Sequence, residues 1–335
     1  NTVVGNMRTK RRGRFLQREP FLAQPAGQRS GFRKGTAMSE HSTTTTTASP
    51  TRTEAELRAL MARAVREVRE TNPLAPSITN TVTQSFVANA QLAVGGSAAM
   101  VYLPDEGECV AALGGAVYIN LGTLMPVYEQ TVPATARACA AAATPWVLDP
   151  VGVGIGSLRT RLIEAVRENP PTILRGNASE IIAVADLWGL GGNSADGASG
   201  DGPRGVDSTD SVDAAERAAV ACARFTGGAV AVSGATDLVT DGVQVARLSG
   251  GSSLMTCITG SGCSLGGVCA VYACVADPFV AALTATAAYN LAGLRAAETC
   301  DGPGSFQVAF LNALYNLTTE EVTEAPLALT STSAA

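Results

Sequence analysis

The sequence predicts an α/β fold in which a doubly wound, mostly parallel sheet is flanked by helices. Three observations predict it. From residue 98 onward, short β-leaning runs alternate with helical ones, the pattern of parallel strands joined by crossover helices. Alanine and glycine are abundant, and aromatic residues make up only 5% of the 335, which suits close packing between helices and sheet. Asp149, Arg175 and Ser233 each fall at or next to a predicted strand end, where open α/β sheets bind ligands.

The elements follow in order. Thr53 to Glu70 reads as a helix, with Leu57, Leu60, Met61, Ala64, Val65 and Val68 on one stripe and Thr53 with Glu56 as a capping box. Asn72-Pro73-Leu74-Ala75-Pro76 breaks it, and Ser77 to Asn80 is short and β-leaning. Thr83 to Val94 reads as a helix closed by Gly95-Gly96, and Ala98 to Val101 as a strand. Strands are then expected at 116–120, 146–149, 172–175 and 229–233. Helices are expected at 126–143, 157–168 and 178–188, and another, capped by Asp207 or Ser208, runs to Phe225. Gly189 to Gly205 reads as a surface loop. Asp241-Gly242 between two β-branched runs signals a hairpin. Two or three helices follow to about Leu317.

Residues 1–50 are expected to be a disordered, basic and Thr-rich extension, with a targeting arm as the alternative and Met38 as a candidate start. Residues 51–320 read as one domain and 321–335 as a flexible tail. The first 50 residues hold nine of the 24 basic side chains, leaving 15 basic and 27 acidic residues in the body. An acidic body argues against nucleic-acid binding. The apolar run from Cys263 to Ala276 is too short to span a membrane. The eight cysteines form no CxxC pair and mostly sit in apolar runs, as expected of free thiols in the reducing cytoplasm.

The only lysines are Lys10 and Lys34, and the only histidine is His41. The body therefore lacks the lysine of a Walker A loop or a Schiff base, and the histidine of a Ser-His-Asp triad. A bound polyphosphate would have to be met by arginine, a metal ion and backbone N–H groups. Gly260-Ser261-Gly262-Cys263 precedes a buried apolar helix and suits a phosphate or another developing anion, although a plain Gly-rich turn into a core helix reads the same way. Cys263 on the first turn is expected to favour its thiolate, as a proton acceptor or simply as a pocket wall. Asp149 either holds Mg²⁺ through water or caps a loop. Arg175, with Glu180 five residues on, either pairs with phosphate oxygens or lies in a surface turn. Ser233-Gly234 is the weakest signal. Together these parts suit phosphoryl transfer.

Eight segments appear in one order: Ser77-Ile78-Thr79-Asn80, Phe86-Val87-Ala88-Asn89-Ala90, Ile119-Asn120-Leu121-Gly122-Thr123-Leu124, Leu148-Asp149-Pro150-Val151-Gly152-Val153-Gly154, Arg175-Gly176-Asn177-Ala178-Ser179-Glu180, Gly205-Val206-Asp207-Ser208, Thr259-Gly260-Ser261-Gly262-Cys263 and Gly302-Pro303-Gly304-Ser305-Phe306. The series, over roughly residues 55–320, resembles the hydroxyethylthiazole kinase family of thiamine salvage. The resemblance implies a ribokinase-like fold. It also implies ATP- and Mg²⁺-dependent phosphorylation of the hydroxyl of 4-methyl-5-(2-hydroxyethyl)thiazole, and a homotrimer with sites between subunits. By motif position, Arg175 and Ser233 would contact ATP, and Asn80, Met100 and Gly260 the thiazole. Asp149 and Glu180 would serve the metal, and Cys263 would stand where related sugar kinases carry a base aspartate.

The sequence departs from the family on the thiazole side, where Pro76 or Ser77 replaces the usual histidine and Val101-Tyr102 the usual Ala-His. The Gly189 to Gly205 connection is also longer than expected. Two other readings are a kinase for a different hydroxylated heterocycle, such as hydroxymethylpyrimidine, and a non-catalytic nucleotide- or thiazole-binding regulator.

Overall fold

Helix α1 (Glu54–Thr71) is the first described element and carries the expected capping box: Thr53 and Glu56 each bond the other's backbone N–H. The computed structural model describes residues 51–191 and 212–332, all within one compact unit. The expected extension 1–50, most of the Gly189 to Gly205 loop and the cap at Asp207 or Ser208 lie outside the described residues.

The chain continues through β1 (Leu74–Ile78), α2 (Gln84–Ala93), β2 (Ser97–Met100), α3 (Pro104–Leu113) and β3 (Val117–Asn120). Next come α4 (Tyr128–Ala142), β4 (Trp146–Asp149), α5 (Ser157–Ala165), β5 (Ile173–Asn177) and α6 (Ala178–Leu187). After α7 (Val212–Thr226) and β6 (Ala229–Ser233), a hairpin of β7 (Asp237–Thr240) and β8 (Gln244–Leu248) turns at Asp241-Gly242. Helices α8 (Ser261–Ala273), α9 (Pro278–Thr299), α10 (Pro303–Asn316) and α11 (Thr319–Thr323) follow, then β9 (Leu327–Ser331).

Nine strands form one sheet in the order β2-β1-β3-β4-β5-β6-β7-β8-β9. The pairings from β2 to β6 are parallel, and those from β6 to β9 antiparallel. Strands β3 and β4 are buried along their whole length, as expected where both faces are covered. Alternate residues take opposite faces: Tyr118, Val147 and Ile173 join the core under α1, α2, α8, α9 and α10, while Ile119, Leu148 and Leu174 join the core under α3 to α7. Each buried Val or Leu contributes roughly 1.5–3 kcal/mol.

Helix α8 is buried on nearly every side, and two glycines make that possible. A Cβ on Gly266 would lie 2.4 Å from Cε2 of Tyr118, and one on Gly267 2.9 Å from Cγ1 of Val87. Their absence lets α8 press onto the sheet and onto α2.

Three expectations are corrected. The breaker does end α1, at Asn72, but the strand expected from Ser77 already begins at Leu74; Pro76 lies opposite Ala99, and pairing with β3 begins only at Ser77. Helix α3 was not anticipated. Gly107 interrupts its pattern because a Cβ there would meet Oγ1 of Thr135 on α4 at 2.0 Å. The stretch 321–335, expected as a flexible tail, instead carries β9, which pairs with β8 from Leu327 to Ser331. Short elements closing an edge leave little periodicity to read.

Candidate active site

The carboxyl ends of the parallel strands converge on the start of α8. Asp149 ends β4 and is fully buried. Its Oδ2 accepts from the Tyr118 hydroxyl (3.0 Å), Asn120 Nδ2 (3.1 Å) and the Arg175 guanidinium (3.3 Å). Its Oδ1 is buried without a partner. Arg175, on β5, also donates to Ser233 Oγ at the end of β6 (2.8 Å), and its Nε is unpaired. The guanidinium lies against the first turn of α8, where a Cβ on Gly262 would be 3.0 Å from one of its terminal nitrogens. Gly260, at φ +91°, sets the left-handed turn into that helix and gives its first amides no side-chain cap. A guanidinium and a helix N-terminus therefore present positive potential to the same place.

Tyr118 and Asn120, on β3, hold the cluster together. The Tyr118 phenol has one proton to give, toward the Cys263 carbonyl (2.6 Å) or Asp149, and it accepts from Asn120 Nδ2 (2.8 Å). Burial, and then the Asp149 charge, hold its pKa well above the usual phenol range, so it stays protonated. Asn120 Oδ1 accepts from Asn80 Nδ2 and from the Gly122 amide, both at 2.9 Å. Asn80 Nδ2 also faces Cys263 Sγ at 3.5 Å. Arg159, reaching from α5, donates to the carbonyls of Leu121, Gly122 and Ile155 and so ties the loops after β3 and β4.

Glu180 closes the other side. Its carboxylate accepts from the amides of Asn177 (2.9 Å) and Gly152 (3.1 Å), so it caps α6 and anchors the loop that follows Asp149. Burial pushes the Asp149 carboxyl up to about 6, against the pull of Arg175 and with the help of Glu180. Burial alone would lower the Arg175 pKa, but the charges of Asp149 and Glu180 hold it above its ordinary value. The expected preference of Cys263 for the thiolate is overturned: burial, and then Asp149, push its pKa up and outweigh Arg175. The helix start is local, while the burial and the buried carboxylate are tertiary.

Thus Asn80, Asp149, Arg175, Glu180, Ser233, Gly260, Ser261, Gly262 and Cys263 share one crevice. Met100 ends edge strand β2, opposite Ser77. Sequence reasoning missed Tyr118, Asn120 and Arg159 as site residues. Two of them look like ordinary strand residues, and Arg159 like a helix-surface cation. A cavity of about 390 Å³ opens beside the crevice, lined by Val82, Phe86, Ile258, Thr259, Pro303 and Gln307 among others; its lining stops at Thr259, just before the Gly260 turn, and includes none of the charged cluster.

Residues 65–320 match the hydroxyethylthiazole kinase family. The chain belongs to that family. Among its relatives, the hydroxyethylthiazole kinase of Bifidobacterium longum (strain DJO10A) is 50% identical over 296 residues, covering 84% of this chain and 94% of the relative. That of Cereibacter sphaeroides (strain ATCC 17029 / ATH 2.4.9) is 45% identical over 253 residues, covering 76% and 92%. The solved hydroxyethylthiazole kinase of Pyrococcus horikoshii OT3 superposes with a TM-score of 0.72 at 29% identity, covering 81% of this chain and 99% of that one. A pyridoxal kinase of Staphylococcus aureus, at 14% identity and TM-score 0.53, covering 78% and 99%, shares the fold alone. Membership in the hydroxyethylthiazole kinase family makes the protein a kinase of ribokinase-like fold. Among the described residues no helix is long and apolar enough to cross a membrane.

Proposed function

We propose that the protein transfers the γ-phosphoryl group of ATP to the hydroxyl of 4-methyl-5-(2-hydroxyethyl)thiazole, with Mg²⁺. The observation that carries this is the meeting of Arg175, Asp149 and the uncapped start of α8 in one crevice. Arg175 and the amides of Ser261 to Cys263 receive the phosphate oxygens, and Ser233 orients the guanidinium through its 2.8 Å bond. Asn80 and Gly260 hold the thiazole, with Met100 toward the sheet edge.

The donor set fits Mg²⁺. Asp149 Oδ1 is a buried acceptor without a partner, and Glu180 lies near enough to raise the Asp149 pKa. Among the described residues no group of three or more His, Cys, Asp or Glu gathers to hold a metal, but Mg²⁺ takes one or two carboxylates, keeps its waters and uses substrate phosphates. When bound, it would offset charge on the phosphate oxygens. The side chains alone supply two carboxylates against one guanidinium, so an added cation suits a polyphosphate here.

Cys263 faces the acceptor as a neutral thiol that orients the hydroxyl. Phosphoryl transfer through a loose transition state makes little demand for a strong base. The assembly proposed is a homotrimer with sites between subunits, for which exposed Val82 beside the cavity offers apolar contact surface. The location proposed is the cytoplasm, consistent with eight free cysteines. The test is purified protein with ATP, Mg²⁺ and hydroxyethylthiazole, with hydroxymethylpyrimidine in parallel, read by product mass. A thiazole phosphate supports the reading. Phosphorylation of the pyrimidine alone, or saturable binding without product, overturns it.

A further inference from the structure

Thr83 is the residue before α2, where threonine ordinarily turns its hydroxyl back to accept from an amide of the first helical turn. Here it makes no such bond. The side chain is only 5% exposed, and its Oγ1 is buried without a hydrogen-bond partner. The methyl side is fixed against the Gly260 turn: a Cβ on Gly260 would lie 3.0 Å from both Cβ and Cγ2 of Thr83. The hydroxyl side faces Cys263, near enough that hydrogen bonding from it would favour the thiolate, yet not placed to bond the thiol itself. Asn80 reaches the same sulfur at 3.5 Å.

A buried hydroxyl with neither cap nor partner costs stability, and in native proteins such a group is usually completed by a ligand or water. The atoms around this one are those expected to meet the acceptor alcohol: the Cys263 thiol, the Asn80 amide and the Gly260 turn. The geometry points to Thr83 as a substrate-contacting, specificity-determining residue whose Oγ1 hydrogen-bonds the reacting hydroxyl of the bound heterocyclic alcohol. This rests on the small-alcohol kinase reading above. It adds a selection step, because an ethyl side chain without the hydroxyl would leave Oγ1 unpaired.

The test pairs Thr83→Val, which keeps the shape and removes the hydroxyl, with Thr83→Ser, which keeps the hydroxyl. Hydroxyethylthiazole is the substrate, and 4-methyl-5-ethylthiazole, lacking the hydroxyl, is a competitive inhibitor. Thr83→Val is expected to raise KM for the alcohol roughly threefold to tenfold, the span of one neutral hydrogen bond. The KM for ATP and the Ki of the ethyl analogue should stay within about twofold of wild type. Thr83→Ser should restore the alcohol KM. Thr83→Val should melt no lower than wild type, since it removes an unpaired buried polar atom.

An unchanged alcohol KM in Thr83→Val overturns the inference, and so does a rise in analogue Ki equal to the rise in KM, which would mean that Thr83 only shapes the pocket. A markedly lower melting temperature overturns it too, by assigning the hydroxyl a structural partner. Wild-type protein that phosphorylates no thiazole overturns the kinase reading itself, a result distinct from all three.

Discussion

Asp149 makes the pH dependence of stability a probe of the crevice. Its carboxyl titrates near 3.8 when unfolded and at about 6 when folded, raised mainly by burial. A raised folded pKa means that the native state binds the proton more tightly. The favourable contribution is complete below 3.8 and is lost as pH rises through about 6. The whole difference corresponds to about 3 kcal/mol, and about 1 kcal/mol of it falls between pH 5 and 7. Asp149→Asn removes the titration while keeping the shape. Urea unfolding of the ligand-free protein at pH 5, 6 and 7, wild type against Asp149→Asn, reads the difference directly. The variant should gain on the wild type by about 1 kcal/mol from pH 5 to pH 7. A gap constant with pH would refute the claim that a strained, buried carboxylate waits at the end of β4. A gap moving the other way would mean that Arg175 outweighs burial.

Gly266→Ala places a methyl 2.4 Å from the Tyr118 ring, and should cost roughly 1–3 kcal/mol by overpacking. Turnover should fall further than the melting temperature indicates, because Tyr118 links Asp149 to the start of α8; activity tracking the folded fraction alone would contradict this. Cys263→Ala should lower turnover by about 10²-fold or less, with little change in ATP affinity. A wild-type rate in that variant would remove the thiol from the mechanism.

Much of this is legible in the sequence. The apolar stripe and capping box of α1, the buried run of β4 and the Asp241-Gly242 hairpin are local signals, and the structure realises them almost residue for residue. The strand-end placement of Asp149, Arg175 and Ser233 was legible for the same reason: parallel strands bring their carboxyl ends to one edge. What sequence hid was tertiary. Helix α3 was obscured by Gly107, a glycine demanded by its contact with α4. Tyr118 and Asn120 look like strand residues until the cluster shows them bonding Asp149, Cys263 and Asn80. Cys263 was expected to ionise readily because the helix start favours a thiolate, but burial and Asp149 act more strongly in the folded chain.

In a body without lysine, the proposed reaction has a single guanidinium share the migrating phosphoryl charge with Mg²⁺ and the amides of α8. Arg175→Lys tests that most directly, because it keeps the charge and loses the fork that spans Asp149 and Ser233. Steady-state kinetics with varied ATP and saturating thiazole should show kcat/KM for ATP falling about tenfold to a hundredfold, with KM for thiazole nearly unchanged. Kinetics equal to wild type for ATP, or a loss confined to thiazole binding, would contradict it.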